Sequence, residues 1–111
     1  MLQISARHLD KTTILDVSGD IDLASTPEFR KAALRELREL RTPRVLLNLT
    51  AVRYIDSSGV ASLVEGLKTS RDLGLRFILY GLSPGAREVL QLSRLLKIFE
   101  VYDNEDQALS S

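Results

Sequence analysis

The chain has 111 residues, 44% of them hydrophobic, which suits one compact domain with a buried core. Fifteen basic and fifteen acidic residues leave no net charge, so nothing in the balance favours direct nucleic-acid binding or a polybasic membrane anchor. The absence of cysteine excludes disulfides, thiolate catalysis and cysteine metal sites; with His8 as the only histidine, neither a metal nor a cofactor is expected.

The first element is a strand. Leu2, Ile4 and Ala6 alternate with Gln3, Ser5 and Arg7, the period of a half-buried strand rather than a signal peptide's apolar core. No apolar run approaches the ~20 residues that span a bilayer, so the expectation is a cytoplasmic protein without membrane insertion. Leu9-Asp10-Lys11-Thr12 reads as a turn and Thr13–Ser18 as a second strand, giving an antiparallel hairpin. Gly19-Asp20-Ile21-Asp22 breaks the pattern.

Ser25-Thr26-Pro27-Glu28 is a helix start, with Ser25 or Thr26 as cap, Pro27 in the first turn and Glu28 at the positive end of the helix. Phe29, Ala33, Leu37 and Leu40 follow on one face, and mixed charges occupy the other. Thr42-Pro43 ends this helix, and the apolar stretch Arg44–Leu49 reads as a buried central strand. After a loop from Thr50 to Ile55, a second helix carries Val60, Leu63, Val64 and Leu67 inward and stops at Gly74. Arg76–Tyr80 is a strand. Ser83-Pro84-Gly85 opens a third helix with Ala86, Val89, Leu90 and Ser93 inward, Ile98–Tyr102 is the last strand, and Asn104 caps a short helix ending near Ala108.

The order β-β-α-β-α-β-α-β-α places the chain, over residues 1–111, in the α/β class as a single domain. It implies a mixed sheet of about five strands, mostly parallel, with the first strand antiparallel.

Chemistry concentrates at Asp56-Ser57-Ser58-Gly59, where a strand-to-helix loop meets a helix start. One polar residue suffices for a cap, and three stand here in a row. Helix amides at this end favour an anion, so a phosphate on Ser57 or Ser58 is electrostatically welcome. Gly59 removes bulk beside the hydroxyls and is expected to ease the approach of a partner. A serine hydrolase lacks its parts, because no G-x-S-x-G surrounds Ser57 and the only histidine lies on the first strand. No phosphate-binding glycine loop occurs, and Gly81–Gly85 reads as a turn plus helix start. Asp20 and Asp22 supply too few ligands for calcium. Loops at the carboxyl ends of parallel strands share one rim, so Asp22 and Ser57 are expected near each other on a recognition surface.

Ser18-Gly19-Asp20-Ile21-Asp22, Leu47-Asn48-Leu49, Gly81-Leu82-Ser83-Pro84 and above all Tyr54-Ile55-Asp56-Ser57-Ser58-Gly59 make nearly the whole chain resemble a STAS domain, the fold of bacterial anti-sigma factor antagonists. The resemblance implies a fold with helices mainly on one sheet face, and partner switching as the mechanism. The unmodified protein binds an anti-sigma factor that is also a serine kinase and so frees a sigma factor. The kinase phosphorylates the serine after the motif aspartate, here Ser57, and a PP2C-type phosphatase reverses this. Asp22, Asp56, Ser57, Ser58 and Gly59 form the implied partner-binding surface, with Ser58 as the second hydroxyl position rather than the acceptor. The sequence departs from sporulation-type antagonists at Ala61, where glycine is usual. That pattern also resembles STAS subunits of lipid-transporting ABC systems, which dock on transporter subunits and need no phosphorylation; both implied roles stand at this point.

Overall fold

The computed structural model describes residues 2–111. Five strands form one sheet in the order β1-β2-β3-β4-β5. They are β1 (Gln3–Leu9), β2 (Thr12–Ser18), β3 (Arg44–Ala51), β4 (Arg76–Tyr80) and β5 (Glu100–Tyr102). β1 runs antiparallel to β2, and every other neighbour pair is parallel. The reason is the connections. A tight turn at Asp10-Lys11, with Asp10 at a positive φ of 43°, closes the hairpin, and a crossover element precedes each of the later strands.

The helices are α1 (Thr26–Leu34), α2 (Ser57–Leu73), α3 (Pro84–Leu92) and α4 (Glu105–Leu109), with a 3-10 turn at Leu96–Ile98. Alternation along the strands decides what each covers. Leu15, Val17, Val45, Leu47, Leu49, Phe77 and Leu79 face one way and meet Phe29 and Ala33 of α1, Leu63 and Leu67 of α2, and Ala86 and Leu90 of α3. Ile14, Leu46, Ile78 and Tyr80 face the other way and are covered by Ala108 of α4. Both faces of β3 are therefore buried, which explains its near-continuous apolar run. Gly66 of α2 lets the helix lie close on β4, since a Cβ there would fall 2.6 Å from the Phe77 ring. Among the described residues, no helix is long and apolar enough to cross a membrane.

α4 is fastened to the sheet by a polar network. Arg7 donates to Asp16 at 2.6 and 2.8 Å and to Glu105 at 2.7 Å, while the Tyr80 hydroxyl donates to Glu105 at 2.8 Å. The guanidinium holds the carboxyls of Asp16 and Glu105 below their ordinary range.

Four local expectations are corrected. Leu40 is exposed, not inward: α1 continues into a π-helical segment, Arg35–Glu39, closed by the Leu40 amide on the Arg35 carbonyl. Leu37 is buried as expected, but the wider turn changes the face that follows, and Glu36 is buried in place of Leu40. Ser93 lies beyond the end of α3, exposed, with its hydroxyl bonded back to the Val89 carbonyl. Ala6 is exposed at the sheet edge although Leu2 is buried. The last strand begins at Glu100, because Leu96–Ile98 is spent on the turn that brings the chain back to the sheet.

Because β2, β3 and β4 are parallel, their carboxyl ends meet at one rim. The loops leading into α1, α2 and α3 gather there.

Candidate functional site

Two loops define the rim. The β2–α1 loop carries Asp20, Asp22 and Leu23, and the β3–α2 loop carries Arg53, Tyr54 and Asp56. They are joined by backbone. Ile21 forms an isolated parallel bridge with Ile55, its amide donating to the Tyr54 carbonyl at 3.0 Å and its carbonyl accepting from the Asp56 amide at 3.1 Å. Both isoleucines are fully buried, so apolar packing fixes the polar residues on either side.

Asp56 is the N-cap of α2. Its Oδ1 accepts from the Gly59 amide at 2.9 Å and from the Ser58 hydroxyl at 2.7 Å. Its Oδ2 accepts from the Leu23 amide at 3.0 Å, across to the other loop. Both oxygens are thus engaged within the chain. The Ser58 hydroxyl, with the Gly59 and Leu23 amides behind it, holds the Asp56 carboxyl below its ordinary range. A depressed pKa stabilises the fold in the ionised form. That contribution is complete above the unfolded value, near about pH 4, and drains away as pH falls through the lower folded value. The stability difference between wild type and Asp56→Asn, followed by urea unfolding from about pH 6 down to about pH 2, is therefore expected to shrink on acidification.

Ser57 is the first residue of α2 and is exposed. Among the described residues its hydroxyl has no hydrogen-bond partner, whereas the Ser58 hydroxyl is partly buried and committed to Asp56. Asp22 is part of a closed loop lock: the Ser25 amide donates to its Oδ1 at 3.0 Å, and its own amide donates to the Ser25 hydroxyl at 2.9 Å. Ser25 therefore occupies the cap position of α1 without capping it by side chain. Asp20, Asp22 and Glu28 line one hollow of the rim, which makes it acidic. Among the described residues no cluster of three or more His, Asp or Glu could hold a metal.

Gly59 does a different job from the one its sequence position suggests. It is buried, and a Cβ there would stand 2.4 Å from the Ile21 carbonyl oxygen and 2.7 Å from the Ile55 side chain. The room it leaves is filled by the chain's own β2–α1 loop. His8, distant from the rim, lies exposed on edge strand β1, opposite Thr13. At the third loop, the Ser83 hydroxyl accepts from the Ala86 amide at 3.2 Å, capping α3, and lies 3.2 Å from the Arg53 carbonyl. Two exposed apolar residues of the rim are not among the expected contacts: Leu23, 75% exposed, and Tyr54, 51% exposed, the latter noted only as the first residue of the serine motif. An apolar residue in a loop reads as core or as noise until the register of both loops is known.

The family model for the STAS domain matches residues 3–108. The anti-sigma F factor antagonist of Paenibacillus polymyxa is 27% identical over 109 residues, covering 98% of this chain and 93% of that protein. The crystal structure of an anti-sigma factor antagonist from Mycobacterium paratuberculosis superposes with a TM-score of 0.88 at 24% identity, over 99% of this chain and 92% of that one. The Bacillus cell fate determinant SpoIIAA in its phosphorylated form gives a TM-score of 0.75 at 20% identity, over 97% of each chain.

Proposed function

The chain belongs to the STAS domain family, and from that premise we propose that it is an anti-sigma factor antagonist whose binding is switched off by phosphorylation of Ser57. It binds an anti-sigma factor with serine kinase activity, so that a sigma factor is released; the kinase modifies Ser57, and a PP2C-type phosphatase removes the phosphate. The protein itself performs no catalysis in this scheme and acts in the cytoplasm. The observation that carries the reading is the exposed Ser57 hydroxyl at the start of α2, without a hydrogen-bond partner among the described residues, beside a Ser58 hydroxyl already committed to Asp56. The relative's name and the phosphorylated SpoIIAA structure of like fold support it.

Physical chemistry supplies the direction of the switch. A phosphate adds roughly −1.5 to −2 charges at neutral pH. At the amino end of a 17-residue helix, the free amides and the macrodipole favour that charge, so the fold tolerates it. The cost falls on the partner, which must meet that charge beside the carboxylates of Asp56 and Asp22 on the two rim loops.

The test is direct. Incubated with ATP and the anti-sigma kinase that co-purifies with it, the wild-type chain takes up one phosphate, located at Ser57 by mass spectrometry. Ser57→Ala takes up none, and Ser58→Ala is still modified. Co-purification with ABC transporter subunits and no modification would defeat the reading.

A further inference from the structure

We infer that Leu23 is the apolar anchor by which the anti-sigma kinase grips this chain, and that Asp56 is the positioning residue that holds Leu23 beside Ser57. The inference rests on the proposed function and adds to it the partner's hydrophobic contact and the internal bond that presents it.

Leu23 sits 75% exposed in the β2–α1 loop, an unfavourable place for a leucine in water. Its neighbours make the exposure specific. The Leu23 amide is fastened to Asp56 Oδ2 at 3.0 Å, and Asp56 is the residue immediately before Ser57. On the other side, the Asp22–Ser25 lock pins the loop. Leu23 is thus an exposed apolar side chain on a backbone tied at both flanks, so little conformational freedom remains to be lost on binding. Tyr54, half exposed, belongs to the same rim through its carbonyl bond to the Ile21 amide.

Location selects the occupant. Among the described residues, the other large exposed apolar ones are Leu9, Leu40, Leu92 and Ile98. Leu9 pairs with Thr12 at the start of β2, Leu40 follows the end of the α1 segment, Leu92 ends α3 and Ile98 precedes β5. All four lie toward the end of the sheet away from Ser57. A kinase that reaches the Ser57 hydroxyl must cover the ground next to it, and Leu23 and Tyr54 are the large apolar side chains exposed there. Burial of a mostly exposed leucine in a well-fitting pocket is worth roughly tenfold or more in affinity.

Asp56 acts only from inside, since both its carboxylate oxygens are occupied within the chain. This gives a discriminating variant. Asparagine caps a helix about as well as aspartate, because its carbonyl oxygen can still accept from the Gly59 amide and the Ser58 hydroxyl. Its amide NH2 then faces the Leu23 amide, donor against donor, and the tie is lost. Asp56→Asn therefore separates capping from positioning.

The experiment measures phosphorylation kinetics with the kinase that modifies wild-type Ser57. Leu23→Ala is expected to raise KM about tenfold with kcat little changed, the mark of lost binding rather than lost chemistry. Leu23→Met restores most of the affinity. Asp56→Asn, less stable than wild type at neutral pH but still folded at the assay temperature, raises KM at least threefold, and the Leu23 amide loses its hydrogen-exchange protection in solution NMR. The double variant Leu23→Ala/Asp56→Asn is no worse than Leu23→Ala alone, as expected if Asp56 works through Leu23. A wild-type KM in Leu23→Ala overturns the anchor while leaving the phospho-switch intact. A wild-type KM in Asp56→Asn, or multiplicative losses in the double variant, overturns the positioning role. Failure of the kinase to modify wild type at Ser57 overturns the reading on which the anchor rests.

Discussion

Ser57→Asp is expected to bind the anti-sigma partner roughly a hundredfold more weakly than wild type, while its melting temperature moves by no more than about 2 °C. The two halves of this result have separate causes. Residue 57 is the first position of α2, where the helix's unpaired amides carry partial positive charge and a carboxylate is welcome. The side chain is exposed, so no desolvation cost enters the folded state. On the partner's side, a new anion is pressed into a desolvated contact next to Asp56, on a rim whose loops also carry Asp20 and Asp22. Like charges brought together at an interface cost several kcal/mol, and a single carboxylate stands in for only part of a phosphate's charge. Isothermal titration of the two proteins against the partner, paired with thermal melts, reads both halves. Undiminished affinity, or a large drop in stability, would contradict the switch as proposed.

Gly59→Ala is expected to destabilise the fold by about 3 kcal/mol, read as a lower urea midpoint at unchanged slope. The new Cβ would stand 2.4 Å from the Ile21 carbonyl oxygen, which is backbone held by the Asp56 amide and cannot swing aside as a side chain can. Relief requires α2 to move off the β2–α1 loop, separating Ile21 from Ile55 and breaking the Asp56–Leu23 tie. Alanine's better helix propensity, worth about 1 kcal/mol, offsets only part of this. Gly74→Ala is the informative comparison. Gly74 caps α2 at φ 71° with open space around it, so the loss there is backbone strain alone, of about 1 kcal/mol. The ranking of these two glycines tests whether the site rests on close packing of two loops.

Local pattern carried most of the fold. The alternation in Thr13–Ser18, the apolar run at Val45–Leu49, the cap at Asp56 and the stop at Gly74 each declare themselves within a few residues, because strand period, helix period and turn chemistry are short-range. Errors arose where the backbone left its ideal period. The π-helical segment at Arg35–Glu39 exchanges Leu40 for Glu36 on the buried face, and no propensity announces it. The end of α3 and the turn before β5 shifted by a few residues for the same reason.

By itself, the sequence determined the α/β class, the antiparallel hairpin followed by parallel crossovers, and Asp56-Ser57-Ser58-Gly59 as the place of interest. These follow from composition, periodicity and capping preferences acting over one or two turns. Tertiary structure alone decided what each of the four residues does: Ser57 free, Ser58 bound to Asp56, Asp56 bridging to Leu23, Gly59 buried against Ile21. Those roles depend on the register between two loops more than thirty residues apart, which is set by the buried Ile21–Ile55 bridge and the parallel pairing of β2 with β3. A hydrogen bond needs tenths of an ångström, and a one-dimensional pattern does not hold distances between separate segments.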